Sequence, residues 1–278
     1  MATLANAIRD AAARLPGEEA RLEAELLLAH AMQRPRSWFY AHASDVLEAP
    51  EAGVFEALVR RRLHGEPVAQ ITGQRGFWSL ELAVTADTLI PRPETELLVE
   101  LALARMPRAE PLRVLDLGTG TGAIALAVAS ERPLADVTAT DASAAALAVA
   151  AGNARDAGLP VRFLQGSWFE AVPREQFDLV LSNPPYLADD DPHLQQGDLR
   201  FEPRGALASG ADGLEALRAI CAGAPRHLAP GGWLLVEHGY EQGAAVRALF
   251  KRAGLEQVAT ERDLEHRDRV TLGRRPRG

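Results

Sequence analysis

The chain has 278 residues, 47% hydrophobic and 24% charged, with 38 acidic against 30 basic side chains and a formal net charge of −8. This balance argues against a non-specific nucleic-acid binder, because displacing counterions from phosphates needs a basic face. A lone Cys221 excludes a disulfide framework and a thiolate metal site. Seven histidines without HxxxH or HExxH spacing lead us to expect no metal.

The opening MATLANAIRDAAARLP has no basic stretch followed by an apolar core, and no apolar run approaches the roughly 20 residues of a membrane span. A reducing, cytoplasmic location, no membrane association and a monomer are expected. Leu4, Ile8, Ala11, Ala12 and Leu15 share one helical face before Pro16. A second helix is predicted over Glu18–Met32, with Leu22, Leu26, Leu27 and Ala31 at helical spacing, and a third from about Pro50 to Leu63. Residues 1–66 therefore read as a small helical bundle, a candidate substrate-recognition domain. Arg60, Arg61 and Arg62 read as a solvated helix face, and Arg274, Arg275 and Arg277 as a frayed end.

Over 67–92 the pattern alternates, through Val68, Gln70, Ile71 and Phe77 to Val84. It reads as a β-hairpin linker turning near Gly73–Gly76. LIPRPETELLVELAL follows, with Pro91 and Pro93 fencing an extended stretch and Glu94 or Thr95 opening a helix. Residues 93–278 form the third region. Strands are predicted at 114–117, 137–140, 161–165, 177–182 and 233–237, with two more near 256–260 and 269–272. Helices are predicted over 122–131, 143–157, 213–227 and 241–253. Apolar strands alternating with such helices predict an α/β fold, a mostly parallel sheet covered on both faces. Ligands bind such sheets beyond the carboxyl ends of the strands.

The run Asp116-Leu117-Gly118-Thr119-Gly120-Thr121-Gly122-Ala123 closes the first of these strands and opens a helix. Its glycines allow a sharp turn and close approach of a ligand. Asp141 ends the next strand, where a carboxylate can accept from both hydroxyls of a ribose. The pattern fits a dinucleotide as well as the GxGxG loop of S-adenosylmethionine enzymes.

Asn183-Pro184-Pro185-Tyr186 separates the two. Two prolines remove N–H donors, and the residue before a proline is held extended. What is left is a rigid surface of acceptors beside an aromatic ring, suited to a planar –NH2 group. An amide or exocyclic amine is a poor nucleophile because its lone pair is delocalised. Hydrogen bonds from that –NH2 to the Asn183 side-chain oxygen and the Pro184 carbonyl would orient it in line with a methyl donor and strengthen as positive charge develops. Tyr186 would stack on the acceptor and favour the cationic methyl group. No strong general base is needed, because the nitrogen becomes acidic once methylated.

The chain resembles the HemK/PrmC-type family of protein-(glutamine-N5) methyltransferases, which modify the GGQ glutamine of class-1 peptide chain release factors. The likeness covers nearly the whole chain. It rests on LIPRPETE (89–96), DLGTGTGAIAL (116–126), SWF (167–169), SNPPY (182–186), DPHLQQGDLRFEPRGAL (191–207) and RVTLGR (269–274). NPPY alone is shared with adenine methyltransferases.

The resemblance implies a Rossmann-like class I S-adenosylmethionine-dependent methyltransferase with a seven-stranded, mostly parallel sheet. It implies S-adenosyl-L-methionine as donor, S-adenosyl-L-homocysteine as product and a class-1 release factor as partner. Gly118, Thr119, Gly120, Thr121 and Gly122 would line the donor site, Asp141 would hold the ribose and Trp168 would flank the adenine. Asn183 would touch donor and acceptor, and Asn183, Pro184, Pro185 and Tyr186 would grip the glutamine. Asp116 would reach the donor's amino group or cap the glycine loop. Phe77, Trp78, Arg92, Glu94 and Thr95 would shape the substrate entrance, and His193, Glu202 and Arg204 lie in the loop after the catalytic turn. Gln165 stands where relatives often carry an acid, leaving the partner of the adenine amine open. The alternatives are an N6-adenine methyltransferase of DNA or RNA, against which the acidic balance argues, and a non-catalytic factor acting through the helical domain.

Overall fold

The structure is a computed structural model and describes residues 2–277. The chain divides into two compact units, one ending at Gln74 and the other beginning at Arg75.

In the first unit, α1 (Leu4–Ala12) starts where the Thr3 hydroxyl accepts from the Asn6 N–H at 3.3 Å. It is followed by α2 (Ala20–Met32), α3 (Trp38–His42), α4 (Ala49–Leu63) and α5 (Val68–Thr72). Leu4, Ile8, Leu27, Leu28, Phe39, Phe55, Val59 and Ile71 form its core. The buried face of α2 is Ala24, Leu27 and Leu28, while Leu22 and Leu26 flank it half-buried. The arginine run is not simply solvated: Arg62 forms a paired hydrogen bond to Glu23 at 2.9 and 2.8 Å, both side chains largely buried.

The predicted hairpin turn is displaced. Residues 68–72 form α5, and Gly73 (φ 74°) is its left-handed cap. Strands β1 (Gln74–Phe77) and β2 (Leu80–Ala83) pair across a turn at Trp78–Ser79. Trp78 takes φ 56°, held by its N–H on Glu96 at 2.8 Å and its indole on Glu131 at 3.0 Å. These tertiary bonds override a local preference for glycine at the turn.

In the second unit a single 3-10 turn (Pro93–Thr95) leads into α6 (Glu96–Leu103). Then come β3 (Arg113–Leu117), α7 (Ala123–Glu131), β4 (Asp136–Asp141), α8 (Ala144–Ala157), β5 (Arg162–Gln165) and β6 (Phe177–Ser182). Three short 3-10 turns lie between Pro192 and Ala206. They precede α9 (Glu215–His227), β7 (Leu228–Glu237), α10 (Gly243–Arg252), β8 (Glu256–Arg262) and β9 (Asp268–Arg274). The sheet order is β5-β4-β3-β6-β7-β9-β8, parallel except for β9, which runs against β7 and β8.

Successive strand residues point to opposite faces, which builds two cores. Val114, Leu179, Leu181 and Leu235 meet Leu98, Val99, Ile124 and Val128 on one side. Leu115, Leu117, Val180, Leu234 and Val236 meet Leu217, Ile220, Val246 and Phe250 on the other. Cys221 belongs to this second core, where burial pushes its thiol up to about 12.

The C-terminal arginines are tied down. The Arg274 guanidinium covers the Trp233 ring and donates to the Gly231 carbonyl at 2.8 Å, and Arg275 donates from its side chain to the Leu228 carbonyl. No helix among the described residues is long and apolar enough to cross a membrane.

Strand register sets the site. Leu117 pairs with Thr140 on one flank and Ser182 on the other, and Ser182 pairs with Val236. The chain leaves β3 outward to β4 and β5 and returns to β6, so the sheet reverses its order between β3 and β6. Their carboxyl ends frame the crevice where such folds bind ligands.

Candidate active site

A cleft of about 310 Å³ opens at this reversal. Gly118, Thr119, Gly120, Thr121, Asp141, Trp168, Asn183 and Pro185 line it, together with Phe77, Arg92 and Thr95. Gly122, Pro184 and Tyr186 stand outside its wall, as do Trp78, Glu94, His193 and Arg204.

The glycine loop is held from below. The N–H groups of Gly118 and Thr119 both donate to the Thr140 carbonyl, at 2.9 and 3.0 Å. Gly122 serves packing: at φ 85°, a Cβ there would stand 3.2 Å from Leu126 and 3.3 Å from Ala150. Asp141 holds the loop too, accepting from Gly120 N–H and Ser143 N–H at 2.9 Å each. A carboxylate has about four lone-pair sites, so capacity remains toward the cleft. Trp168 takes φ 49° and stands against Gly118, while its carbonyl accepts from the Thr140 hydroxyl at 3.2 Å.

Asp116 is fully buried. Its Oδ2 accepts from the Thr119 hydroxyl at 2.6 Å, and its Oδ1 has no hydrogen-bond partner among the described residues. Burial pushes this carboxyl up to about 7, against the pull of the Thr119 hydroxyl and the Ala125 N–H.

The NPPY segment follows β6 directly. Pro184 is buried, and Asn183, Pro185 and Tyr186 are half-buried. Asn183 Nδ2 donates to Thr95 Oγ1 at 3.1 Å, and Thr95 Oγ1 donates to Glu237 Oε2 at 2.7 Å. Neither Asn183 Oδ1 nor the Pro184 carbonyl accepts a hydrogen bond among the described residues. Asn183, which lines the cleft, and Pro184, the next residue, thus each keep an acceptor without a donor. Burial pushes the Tyr186 phenol up to about 12, so it stays neutral, and pushes Glu237 up to about 7, opposed by Thr95 and Arg269. His238, next in the chain, is buried with its ring nitrogens on the Gly239 carbonyl and the Thr271 hydroxyl, each at 2.8 Å.

The cleft's outer wall joins two distant segments. Thr88, Leu89, Pro91 and Arg92 line it together with Pro203, Gly205 and Ala206, and Glu202 ties the two segments by accepting from the Ile90 N–H at 2.8 Å and pairing with Arg92. Sequence reasoning missed Glu237. Its signal is an acid at the end of the otherwise apolar Trp233–Val236, one residue past the register partner of Ser182. Among the described residues no cluster of three His, Cys, Asp or Glu is arranged to hold a metal.

Comparison with known proteins gives a consistent pattern. Residues 6–73 match the PrmC N-terminal domain and residues 94–198 the methyltransferase small domain. The chain is 59% identical over 257 residues to a release factor glutamine methyltransferase of Xylella fastidiosa, covering 92% of this chain and 94% of that one. It is 50% identical over 275 residues to a protein of the same name from Pseudomonas aeruginosa, covering 98% and 99%. In fold it is similar to a T. thermophilus 16S rRNA methyltransferase in complex with AdoMet and guanosine, at a TM-score of 0.53 and 18% identity, covering 73% of this chain and 49% of that one.

Proposed function

The chain belongs to the release factor glutamine methyltransferase family, and from that premise we propose that it transfers a methyl group from S-adenosyl-L-methionine to the side-chain amide nitrogen of the GGQ glutamine in a class-1 peptide chain release factor. S-adenosyl-L-homocysteine is the product, and the reaction takes place in the cytoplasm. The observation that carries this reading is the unpartnered acceptor of Asn183, Oδ1, in a residue that lines the same cleft as the glycine loop, with a second unpartnered acceptor, the Pro184 carbonyl, in the next residue.

The residues present suit the donor. Asp116 Oδ1 is buried and lacks a hydrogen-bond partner among the described residues, an acceptor for the ammonium of the donor's amino-acid portion. Asp141 has lone pairs left for ribose hydroxyls, and Trp168 offers an indole face to adenine. Gly118, Thr119, Gly120 and Thr121 line the approach, and Gly122 contributes by letting α7 pack closely. When bound, the donor supplies an electrophilic methyl on a sulfonium, and no metal is required.

The chain's own contribution is orientation and electrostatics. Asn183 and Pro184 accept the two N–H bonds of the substrate amide and turn its nitrogen lone pair out of conjugation. Fixed acceptors aimed where positive charge develops stabilise the transition state more than the ground state. Pro185 and the neutral Tyr186 confine the glutamine side chain. We assign recognition of the protein substrate to the helical unit.

The test is incubation of the purified protein with methyl-labelled donor and a release factor. Label that appears on the GGQ peptide and disappears on replacing its glutamine by asparagine supports the reading. Absence of label, or label on adenine in nucleic acid instead, overturns it.

A further inference from the structure

We propose that Thr95 and Glu237 are positioning residues that decide which end of the Asn183 amide is presented to the substrate. This deepens the reading above and rests on Asn183 accepting a hydrogen bond from the glutamine –NH2.

The argument is one of proton counting. A threonine hydroxyl has one hydrogen and two lone pairs. Thr95 commits its hydrogen to Glu237 Oε2 at 2.7 Å. It then has only lone pairs to offer Asn183, and Asn183 must meet it with Nδ2, as it does at 3.1 Å. Oδ1 lies on the other branch of the planar amide and is left without a partner among the described residues. A glutamine amide brings two donors and needs that oxygen. With the amide reversed, Nδ2 would confront the incoming –NH2, donor against donor. Asparagine alone has no preference between these states, and the hydroxyl–carboxylate pair supplies it.

The fold places the three groups together from three separate elements. Asn183 follows β6, Glu237 ends β7, and the Ser182–Val236 pairing makes their successors neighbours across the sheet. Thr95 closes the 3-10 turn before α6 and is 4% exposed. Glu237 is 1% exposed at the end of an apolar strand. Burying an ionisable group there costs stability that an apolar side chain would not, which points to a use for it. The charges that act on it are Arg269 and Arg92, which favour its ionised form, and Glu94, which opposes it, with the phenol of Tyr186 among the neighbouring titratable groups. The ionised carboxylate can only accept, so it holds the Thr95 hydrogen without ambiguity. A protonated Glu237 could donate to Thr95 instead, freeing the hydroxyl to turn to Asn183 Oδ1.

The experiment measures kcat, KM for the release factor, and donor Kd by calorimetry across neutral pH. The proteins are wild type, Thr95→Val, Thr95→Ser and Glu237→Gln. Thr95→Val keeps the shape and removes the hydroxyl. It is expected to lower kcat roughly ten- to a hundredfold, less than the roughly hundred- to thousandfold loss of a dipole that touches the reacting group itself, because Thr95 acts through Asn183, with donor Kd within about threefold. Thr95→Ser restores kcat to within about threefold. Glu237→Gln, which can donate as well as accept, is expected to lower kcat about tenfold and to remove the rise of kcat with pH expected of wild type as Glu237 loses its proton. If Thr95→Val fails to fold, Thr95→Ser and Glu237→Gln carry the test. Wild-type kcat in both Thr95→Val and Glu237→Gln, or an unchanged pH profile in Glu237→Gln, overturns the positioning role while leaving the activity standing. A wild-type protein that transfers nothing overturns the activity reading, and this one with it.

Discussion

Glu202 accepts the backbone N–H of Ile90 at 2.8 Å, a bond that spans 112 residues of sequence and joins the two segments forming the outer wall of the cleft. The same carboxylate pairs with Arg92. Burial pushes Glu202 up from the usual carboxylate range, while Arg92 and the Ile90 N–H pull it down. Removing one partner of a buried pair leaves the other charge uncompensated, a loss of roughly 3–5 kcal/mol when burial is complete. The half-exposed Arg92 places this site lower. Arg92→Ala is expected to lower Tm and to weaken donor binding roughly tenfold by loosening the wall. Calorimetric titration with S-adenosyl-L-methionine checks it. Unchanged donor affinity would show that the wall stands without the latch.

Asp141 has both oxygens engaged by backbone N–H groups, one from the glycine loop and one from the start of α8. Asp141→Asn keeps the shape and replaces one acceptor by a donor, so one of those N–H groups faces another N–H. Donor affinity is expected to fall by about ten- to a hundredfold, in line with the loss of one or two charge-assisted hydrogen bonds. KM for the release factor should hold within about threefold, because Asp141 ends β4 and the NPPY turn follows β6, with β3 between them. Equal losses in both constants would mean that Asp141 shapes the whole cleft rather than the donor's half.

Much of this architecture was legible in the chain because strand and helix periods are local. All seven sheet strands fell where apolar runs alternate with helical segments, and the glycine loop and NPPY turn were marked by residues with few other uses. What was missed depended on partners far away. Gly73 and Gly76 looked like the hairpin turn, yet the turn is at Trp78, fixed by Glu96 and Glu131. Strand β7 begins at Leu228, before the predicted Trp233, because Leu228 pairs with Phe177 around a bulge. The order in which strands assemble decides that Glu237 lies beside Asn183. No window along the chain contains both.

Two glycines separate packing from function. A Cβ at Gly213, which sits at φ 70°, would overlap the Tyr186 carbonyl. A Cβ at Gly223 would overlap the Phe169 ring in the core beneath Trp168. Overpacking of this kind costs about 1–3 kcal/mol, and strain at a positive φ adds to it for Gly213. Both alanine variants are expected to lose Tm. Gly213→Ala should also lose kcat, roughly tenfold, because it displaces the backbone of Tyr186. Gly223→Ala, assayed well below its Tm, should keep kcat within about twofold. A Gly213→Ala enzyme with normal kcat would separate Tyr186 from substrate alignment.

Glu237 gives a pH dependence of stability whose sign follows from its raised pKa. In the unfolded chain it titrates at 4.5, and in the folded protein at about 7. As pH climbs between those values, the unfolded chain releases its proton first, so folding becomes less favourable. Stability present below the lower value is lost by the time the upper one is passed. Glu237→Gln has no proton to lose there. Relative to wild type it should be close to neutral at about pH 5 and more stable at about pH 8, by on the order of 3 kcal/mol given 1.36 kcal/mol per pKa unit. Asp116 shifts in the same direction, from 3.8 to about 7, but is present in both proteins and cancels from the difference. Thermal melts of the two proteins across this range test the point, and a Tm difference that does not change with pH would show that Glu237 titrates normally. The gain in stability should accompany the loss of kcat argued above for the same substitution. That opposition is what a buried acid kept for alignment predicts, and a purely structural carboxylate would lose stability and activity together.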